Sequence, residues 1–276
     1  MLELELTPPT FQRTVTVLLL SSLLTGSLIA WVRLWMDWRR QAFWLDWCDE
    51  PRARWTSFAE QTALLLAFLW LSLHLSSVLS PTQPEKPPAL SPSALVGLLV
   101  AGGGIAVLLP AILLSSHRAL SEFGLTVHHL GQQIAVGVEG FLIAILPMTV
   151  TMLLTAPIRT RDSQNLLLKL LSDSVDPATL AIICLLAAVI APLSEEMLFR
   201  VILQGWLISI LDARFAIPLV AATFAAIHGF VDGIALLPLA LVLGYVYHRR
   251  HSYIAVVVIH GLFNATMLVL ALLTES

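Results

Sequence analysis

Residues 178–193 read ATLAIICLLAAVIAPL, and this stretch decides the fold class because it contains no charged side chain. A helix that crosses a bilayer needs about 20 mostly apolar residues, and an uncharged run of this kind is typical of one. Similar apolar runs recur on both sides of it along the chain. The stretch therefore predicts a membrane-embedded helix, and its recurrence predicts several of them.

The composition supports the same class. Of the 276 residues, 58% are apolar and only 12% are charged, and the mean hydropathy is +0.86. Soluble domains carry about 25% charged residues, so this chain cannot have a mostly hydrated surface. A soluble enzyme, a disordered chain and a fibrous repeat are excluded. The net charge of −3 provides no basic surface, so we expect no nucleic-acid partner.

The hydropathy pattern predicts an all-α polytopic membrane protein, a bundle of eight or nine mostly transmembrane helices. The candidate spans are 15–31, 62–79, 94–114, 134–154, 178–193, 199–211, 217–229, 234–247 and 254–273. The sixth and seventh are too short to cross the bilayer without tilt, and either could be re-entrant.

The polar stretches between these runs predict the domain organisation. Residues 1–156 form an N-terminal membrane region, residues 157–177 a linker, and residues 178–276 the core. The segment 31–57 contains six tryptophans interleaved with arginines. Tryptophan prefers the headgroup level of a bilayer, so we interpret this segment as interfacial.

Two acidic residues and an arginine follow the apolar run 178–193. On a helix Glu196 and Arg200 lie four residues apart on one face, acid before base, which predicts an ion pair. Glu195 is rotated by about 100° from Glu196, and the residue four positions after it is Phe199, which carries no charge. Glu195 is therefore the freer carboxylate and the candidate general base. A charged helix end at the membrane interface explains these residues equally well when they are taken alone.

Two histidines and an asparagine occur in later apolar runs. His228 follows Phe224 by four residues, and His260 precedes Asn264 by four, so each pair shares a helix face. Taken alone, His228 is better explained as a packing residue. The pair of His260 and Asn264 is equally consistent with hydrogen bonding between membrane helices.

The combination favours chemistry over packing. Ionisable groups inside a bilayer are costly, and here they collect in three apolar segments of the last third of the chain. A helical bundle can bring them to one polar cavity. A base for water, an imidazole to position it and donors for an oxyanion suit hydrolysis.

At these residues the chain resembles the CPBP intramembrane proteases, which are related to the type II CAAX prenyl endopeptidases and to bacteriocin-processing and self-immunity proteins. The first family motif, two glutamates with an arginine four residues after the second, matches 195–200. The second, Phe-x-x-x-His, matches 224–228, and the third, His-x-x-x-Asn, matches 260–264. The resemblance covers residues 176–273. One departure is Val201, where many members carry glycine.

The resemblance implies a catalytic role for each matched residue. Glu195 would activate the attacking water, and Glu196 would hold Arg200 and order the site. His228 would bind or polarise the water, and His260 and Asn264 would stabilise the tetrahedral oxyanion. The implied substrate is a membrane-associated or lipidated peptide or protein, and the implied location is the cell membrane, with several crossings.

The use of a metal is left open by the sequence. Glu195, His228 and His260 form an acceptable ligand set for zinc, with water in the open position. The two histidines lie on separate segments, and no His-Glu-x-x-His pair occurs. We favour a metal-free mechanism with a glutamate-activated water and no required cofactor.

Two rival functions belong to other classes. One is an ion- or proton-coupled transporter that uses Glu139, Glu195, Glu196 and the histidines as a path. The other is a non-catalytic membrane partner that confers immunity to a bacteriocin. No internal repeat is visible, although transporters often contain one.

Overall fold

The computed structural model describes residues 8–40, 53–79, 92–158 and 176–275. Within these ranges the regular structure is helical, with no strand, as the sequence predicts. The eight helices are α1 (Pro8–Arg39), α2 (Phe58–Leu79), α3 (Pro92–Leu113), α4 (Leu130–Thr155), α5 (Pro177–Ile208), α6 (Ala213–Ile227), α7 (Phe230–Arg250) and α8 (Tyr253–Glu275). Seven are long and apolar enough to cross a bilayer, and α6 is the shorter exception.

The predicted fifth and sixth spans are one helix. α5 is 32 residues long and continues through the polar stretch 194–200 without a turn. The sequence-based prediction separated two spans at this stretch because charged residues usually mark the end of a transmembrane span. In the structure Glu196 and Arg200 are fully buried and paired with each other, so the helix continues through them. The count of nine spans is therefore wrong, and the count of eight helices is confirmed for the described residues.

The helix α1 is longer than the predicted first span. It continues to Arg39 and so includes the beginning of the segment 31–57. Trp55 also lies in the described part, where its ring meets Phe123 edge-on at 5.7 Å. Residues 41–52 lie outside the described residues, as does most of the predicted linker (159–175).

A hydrogen bond from a side chain docks α1 against α4 at a proline. Pro147 lies inside α4 and has no N–H to donate to the carbonyl of Ile143, four residues earlier. The indole N–H of Trp31 donates to that carbonyl instead, at 3.0 Å. Nearby, the backbone N–H of Leu146 donates to the Ser27 hydroxyl at 3.1 Å. Since no water solvates a backbone group in lipid, these bonds make the proline tolerable.

Glycines let α8 pack closely against both α4 and α5. A β-carbon at Gly137 or Gly140 of α4 would lie 2.6 Å from side-chain atoms of Val258 or Ile259 of α8. A β-carbon at Gly261 of α8 would lie 2.8 Å from a backbone carbonyl oxygen of α5. Small residues let membrane helices approach this closely. As a result α8 is held between α4 on one side and α5 on the other.

The helix α5 contains two π-helical stretches. Leu186–Ile190 and Met197–Gln204 are π-helical, and the short α-helical stretch Ala191–Glu196 lies between them. In a π-helix a carbonyl bonds to the N–H five residues later, and such stretches occur frequently at functional sites. The stretch between them, which we call the acidic turn, carries both acidic residues of the first motif.

Candidate active site

Glu196 forms the buried centre of the site. Its Oε2 accepts a hydrogen bond from Nε of Arg200 at 3.0 Å, and both side chains are 0% exposed. Its Oε1 lies 2.8 Å from Nδ1 of His260. The ion pair predicted from the spacing is present. Because both carboxylate oxygens are occupied, Glu196 is better placed to hold its neighbours than to act on water.

Glu195 faces the other side of the same cluster. Its Oε2 lies 3.8 Å from Nε2 of His228 and 4.0 Å from Nε2 of His260. These separations exceed a direct hydrogen bond. Oε2 is buried and has no hydrogen-bond partner among the described residues, while the side chains of Glu195 and His228 are 19% and 18% exposed. A single water molecule can contact acceptor atoms at such spacings, so the carboxylate is poised to bind one.

The partners of Nδ1 assign the proton on each imidazole. Nδ1 of His228 lies 2.8 Å from the carbonyl of Phe224, which can only accept, so Nδ1–H donates. Nδ1 of His260 likewise donates to the Glu196 carboxylate. When neutral, both rings therefore present the lone pair of Nε2 toward Glu195. The two histidines differ in that one is tied to a neutral group and the other to a carboxylate.

The shortness of α6 brings His228 to the site. Its 15 residues rise about 22 Å, less than the thickness of a bilayer core of about 30 Å. The helix ends at Ile227 with His228 as its C-cap, and Gly229 follows with φ +82°, which lets the chain turn at once into α7. A β-carbon at Gly233 would lie 2.2 Å from the Ala225 carbonyl, so the two helices cross closely. The end of a short helix thus positions the histidine.

Asn264 is bonded to the backbone of α5. Its Nδ2 donates to the Ala187 carbonyl at 2.8 Å. Ala187 lies in the first π-helical stretch, where the N–H five residues later would be its partner, but that residue is Pro192. The proline therefore cannot donate to the Ala187 carbonyl, and the Asn264 side chain donates to it instead. Of the six predicted site residues, five form one connected cluster. Asn264 attaches to the same helix before the acidic turn begins.

Comparison with known protein families finds a match that covers this cluster. Residues 177–266 match the family described as type II CAAX prenyl endopeptidase, Rce1-like. This segment of the chain is similar to that family. The match confirms the resemblance seen in the three motifs, and it contains all six site residues. No curated protein and no solved structure matches the chain.

The match indicates a class of activity. The CAAX prenyl endopeptidases are membrane proteases, and the seven long apolar helices make this chain an integral, multi-pass membrane protein. The matched segment is α5 to α8, up to residue 266. The remaining helices lie outside the match.

The donor set of the CAAX endopeptidase-like domain has the chemistry of a zinc site, but its spacing is wide. Two ligands of a tetrahedral zinc lie about 3.3 Å apart, whereas Glu195 Oε2 lies 3.8 and 4.0 Å from the two imidazole nitrogens. Within the described part of the chain, no group of three or more His, Cys, Asp or Glu side chains could hold a metal ion. As they lie, the residues do not fit a closed zinc centre, and we derive no step through a metal.

Two aromatic residues at the site had no role assigned from the sequence. Phe224 packs between the two histidines and Arg200, with its ring centroid 4.5 Å from His228, 5.8 Å from His260 and 5.5 Å from the guanidinium carbon of Arg200. Tyr253 donates its hydroxyl to the Leu193 carbonyl at 2.7 Å. The available signal for Tyr253 was its position seven residues before His260, which places both on one face of α8.

Proposed function

We propose that this protein hydrolyses a peptide bond at or in the bilayer by a water molecule that Glu195 activates. The observation that carries the proposal is the buried, unbonded Oε2 of Glu195, set 3.8 and 4.0 Å from two imidazole nitrogens. A carboxylate in this position can take a proton from water, and the imidazoles can orient that water. The proposed substrate is a membrane-associated or lipidated peptide, in keeping with the CAAX endopeptidase family.

The reaction begins with proton transfer to Glu195. A water held between its Oε2 and Nε2 of His228 gives up a proton to the carboxylate while its oxygen attacks the scissile carbonyl carbon. A C–O bond forms, and the carbonyl oxygen becomes an oxyanion. Glu195 then passes the proton to the leaving nitrogen as the C–N bond breaks. Protons balance, and the products are a carboxylic acid and an amine.

The oxyanion needs hydrogen-bond donors, and the partners of the histidines suggest which group provides them. His260 carrying protons on both nitrogens donates from Nε2 while Nδ1 stays bonded to Glu196. His228, tied to a neutral carbonyl, suits the acceptor role toward water. Asn264 spends one N–H on Ala187 and keeps the second N–H of its amide for an oxyanion.

The direct test is proteolysis by the purified full-length protein in lipid nanodiscs. The substrates are prenylated CAAX peptides and unprenylated membrane peptides. We expect cleavage by the wild type and a loss of at least about a hundredfold in Glu195→Gln, because a general base contributes about 10²–10⁴-fold. Glu122→Gln makes the same chemical change at a half-exposed residue outside the cluster and should retain activity.

Two outcomes contradict the proposal. Equal cleavage by the wild type and Glu195→Gln removes the mechanism. Failure of the wild type on every peptide removes the proteolytic function, and a pH-driven flux in proteoliposomes would then favour the transporter. Retained binding of a peptide toxin by Glu195→Gln, without any cleavage by the wild type, would favour the immunity partner.

The proposed location of the protein is the cell membrane.

A further inference from the structure

Three side chains of α8 bind α5, two of them at the acidic turn and one just before it. The Tyr253 hydroxyl donates to the Leu193 carbonyl at 2.7 Å, and Asn264 Nδ2 donates to the Ala187 carbonyl at 2.8 Å. Between them, His260 bonds the Glu196 carboxylate at 2.8 Å. Tyr253, His260 and Asn264 are spaced by seven and four residues, so they lie along one face of α8.

The hydrogen bond from Tyr253 ends on the backbone of the turn that carries both acidic residues. Leu193 precedes Glu195 by two residues, and its carbonyl also accepts the N–H of Met197, the residue at which α5 changes from α- to π-helical winding. The direction of a side chain follows the rotation of the helix that carries it. A donor fixed to this carbonyl from a second helix therefore sets the rotation of the turn on which both acidic residues stand.

We propose that Tyr253 is a positioning residue of the active site. Its hydroxyl, held on the Leu193 carbonyl, keeps the acidic turn rotated so that Glu195 Oε2 faces Nε2 of both His228 and His260. Tyr253 is not part of the three sequence motifs, and its hydroxyl acts through the backbone and not on the substrate. The inference rests on the proposed hydrolysis by Glu195.

The chain offers a matched control for the test. Tyr247 also donates its hydroxyl to a backbone carbonyl, that of Phe123, at 2.8 Å. Its side chain is buried, and Phe123 lies in the 3₁₀ turn before α4, outside the acidic turn. Tyr253→Phe and Tyr247→Phe thus remove the same chemical group from the same kind of bond. Of these two bonds, only that of Tyr253 ends on the acidic turn.

The first measurement is steady-state proteolysis by the full-length protein in nanodiscs. We expect Tyr253→Phe to lower kcat about tenfold or more, with KM changed less than about twofold, because a displacement of about 1 Å at a reacting group costs up to a hundredfold. Tyr247→Phe should keep kcat within about twofold, even where its thermal midpoint falls as far as that of Tyr253→Phe. A purely structural role for Tyr253 would give both variants the same kcat.

The second measurement does not depend on activity. Hydrogen–deuterium exchange of the peptides covering 186–204 should speed up in Tyr253→Phe and stay at the wild-type rate in Tyr247→Phe. Unchanged exchange, or an unchanged kcat, overturns the proposal for Tyr253. If the wild type cleaves no peptide, the proposed hydrolysis fails and the positioning role of Tyr253 in it fails as well. The exchange result then decides only whether the hydroxyl holds the turn.

Discussion

The imidazole of His260 joins the two acidic residues of the site, with Nδ1 2.8 Å from Glu196 and Nε2 4.0 Å from Glu195. The two carboxylates therefore have different tasks, although they are adjacent in sequence. Glu196 is enclosed by Arg200 and His260 and fixes the orientation of the ring. Glu195 faces the other nitrogen of that ring without touching it, which leaves room for a reacting water.

Replacing only one partner of the ion pair between Glu196 and Arg200 should strongly destabilise the protein. Removing one partner of a buried ion pair leaves an uncompensated charge, and such changes cost about 3–5 kcal/mol. We expect Glu196→Gln to lower the thermal midpoint in detergent strongly and to abolish proteolysis. The double variant Glu196→Gln/Arg200→Met should be more stable than Glu196→Gln alone, because it leaves no charge behind. A double variant less stable than the single one would contradict this interpretation.

The relation between Glu196 and Arg200 was predictable because it is local: helix periodicity alone places residues four apart on one face. The position of His228 beside Glu195 was not predictable, since it depends on where the short helix α6 ends. The bond from Asn264 to Ala187 depends on Pro192 in a different helix, which no spacing within the third motif reveals. The continuity of α5 was also missed, because whether a charge ends a span depends on its neighbours in three dimensions.

The metal-free mechanism predicts proteolysis without zinc. Protein purified without added metal and dialysed against a chelator should contain well under one zinc per chain by elemental mass spectrometry, and it should cleave at the rate of the untreated protein. The residues lie wider apart than a tetrahedral zinc requires, which supports this expectation. One zinc per chain, lost in Glu195→Gln or His260→Ala and restoring activity when added back, would contradict it.

The N-terminus of α5 should depend on pH through Asp176. Its carboxylate accepts hydrogen bonds from the Thr179 hydroxyl and from the backbone N–H groups of Thr179 and Ala178, as a helix N-cap does. These bonds, that of the Thr179 hydroxyl first, hold the pKa of Asp176 below its usual range. The stabilisation is therefore fully present above the unfolded pKa of about 3.9 and is lost as the pH falls through the folded pKa.

This dependence can be measured by comparing thermal midpoints. Asp176→Ala should lower the midpoint at pH 7, and the difference from the wild type should shrink at about pH 3, below the unfolded pKa of about 3.9. Asp176→Asn keeps a capping oxygen but does not titrate, so its midpoint relative to that of Asp176→Ala should not change with pH. A difference between the wild type and Asp176→Ala that is equal at both pH values would argue against the N-cap as the source.

The docking of α1 on α4 predicts a coupling between Trp31 and Pro147. Trp31→Phe removes the indole donor from the Ile143 carbonyl beside the proline, and a buried acceptor left unbonded costs about 1–3 kcal/mol. In the background of Pro147→Ala, the new N–H four residues after Ile143 can donate to that carbonyl. Trp31→Phe should then cost less, and a double-mutant cycle on unfolding free energies should show a coupling of about 0.5 kcal/mol or more. Strict additivity would mean that the indole stabilises α1 by packing and not by completing the helix broken at Pro147.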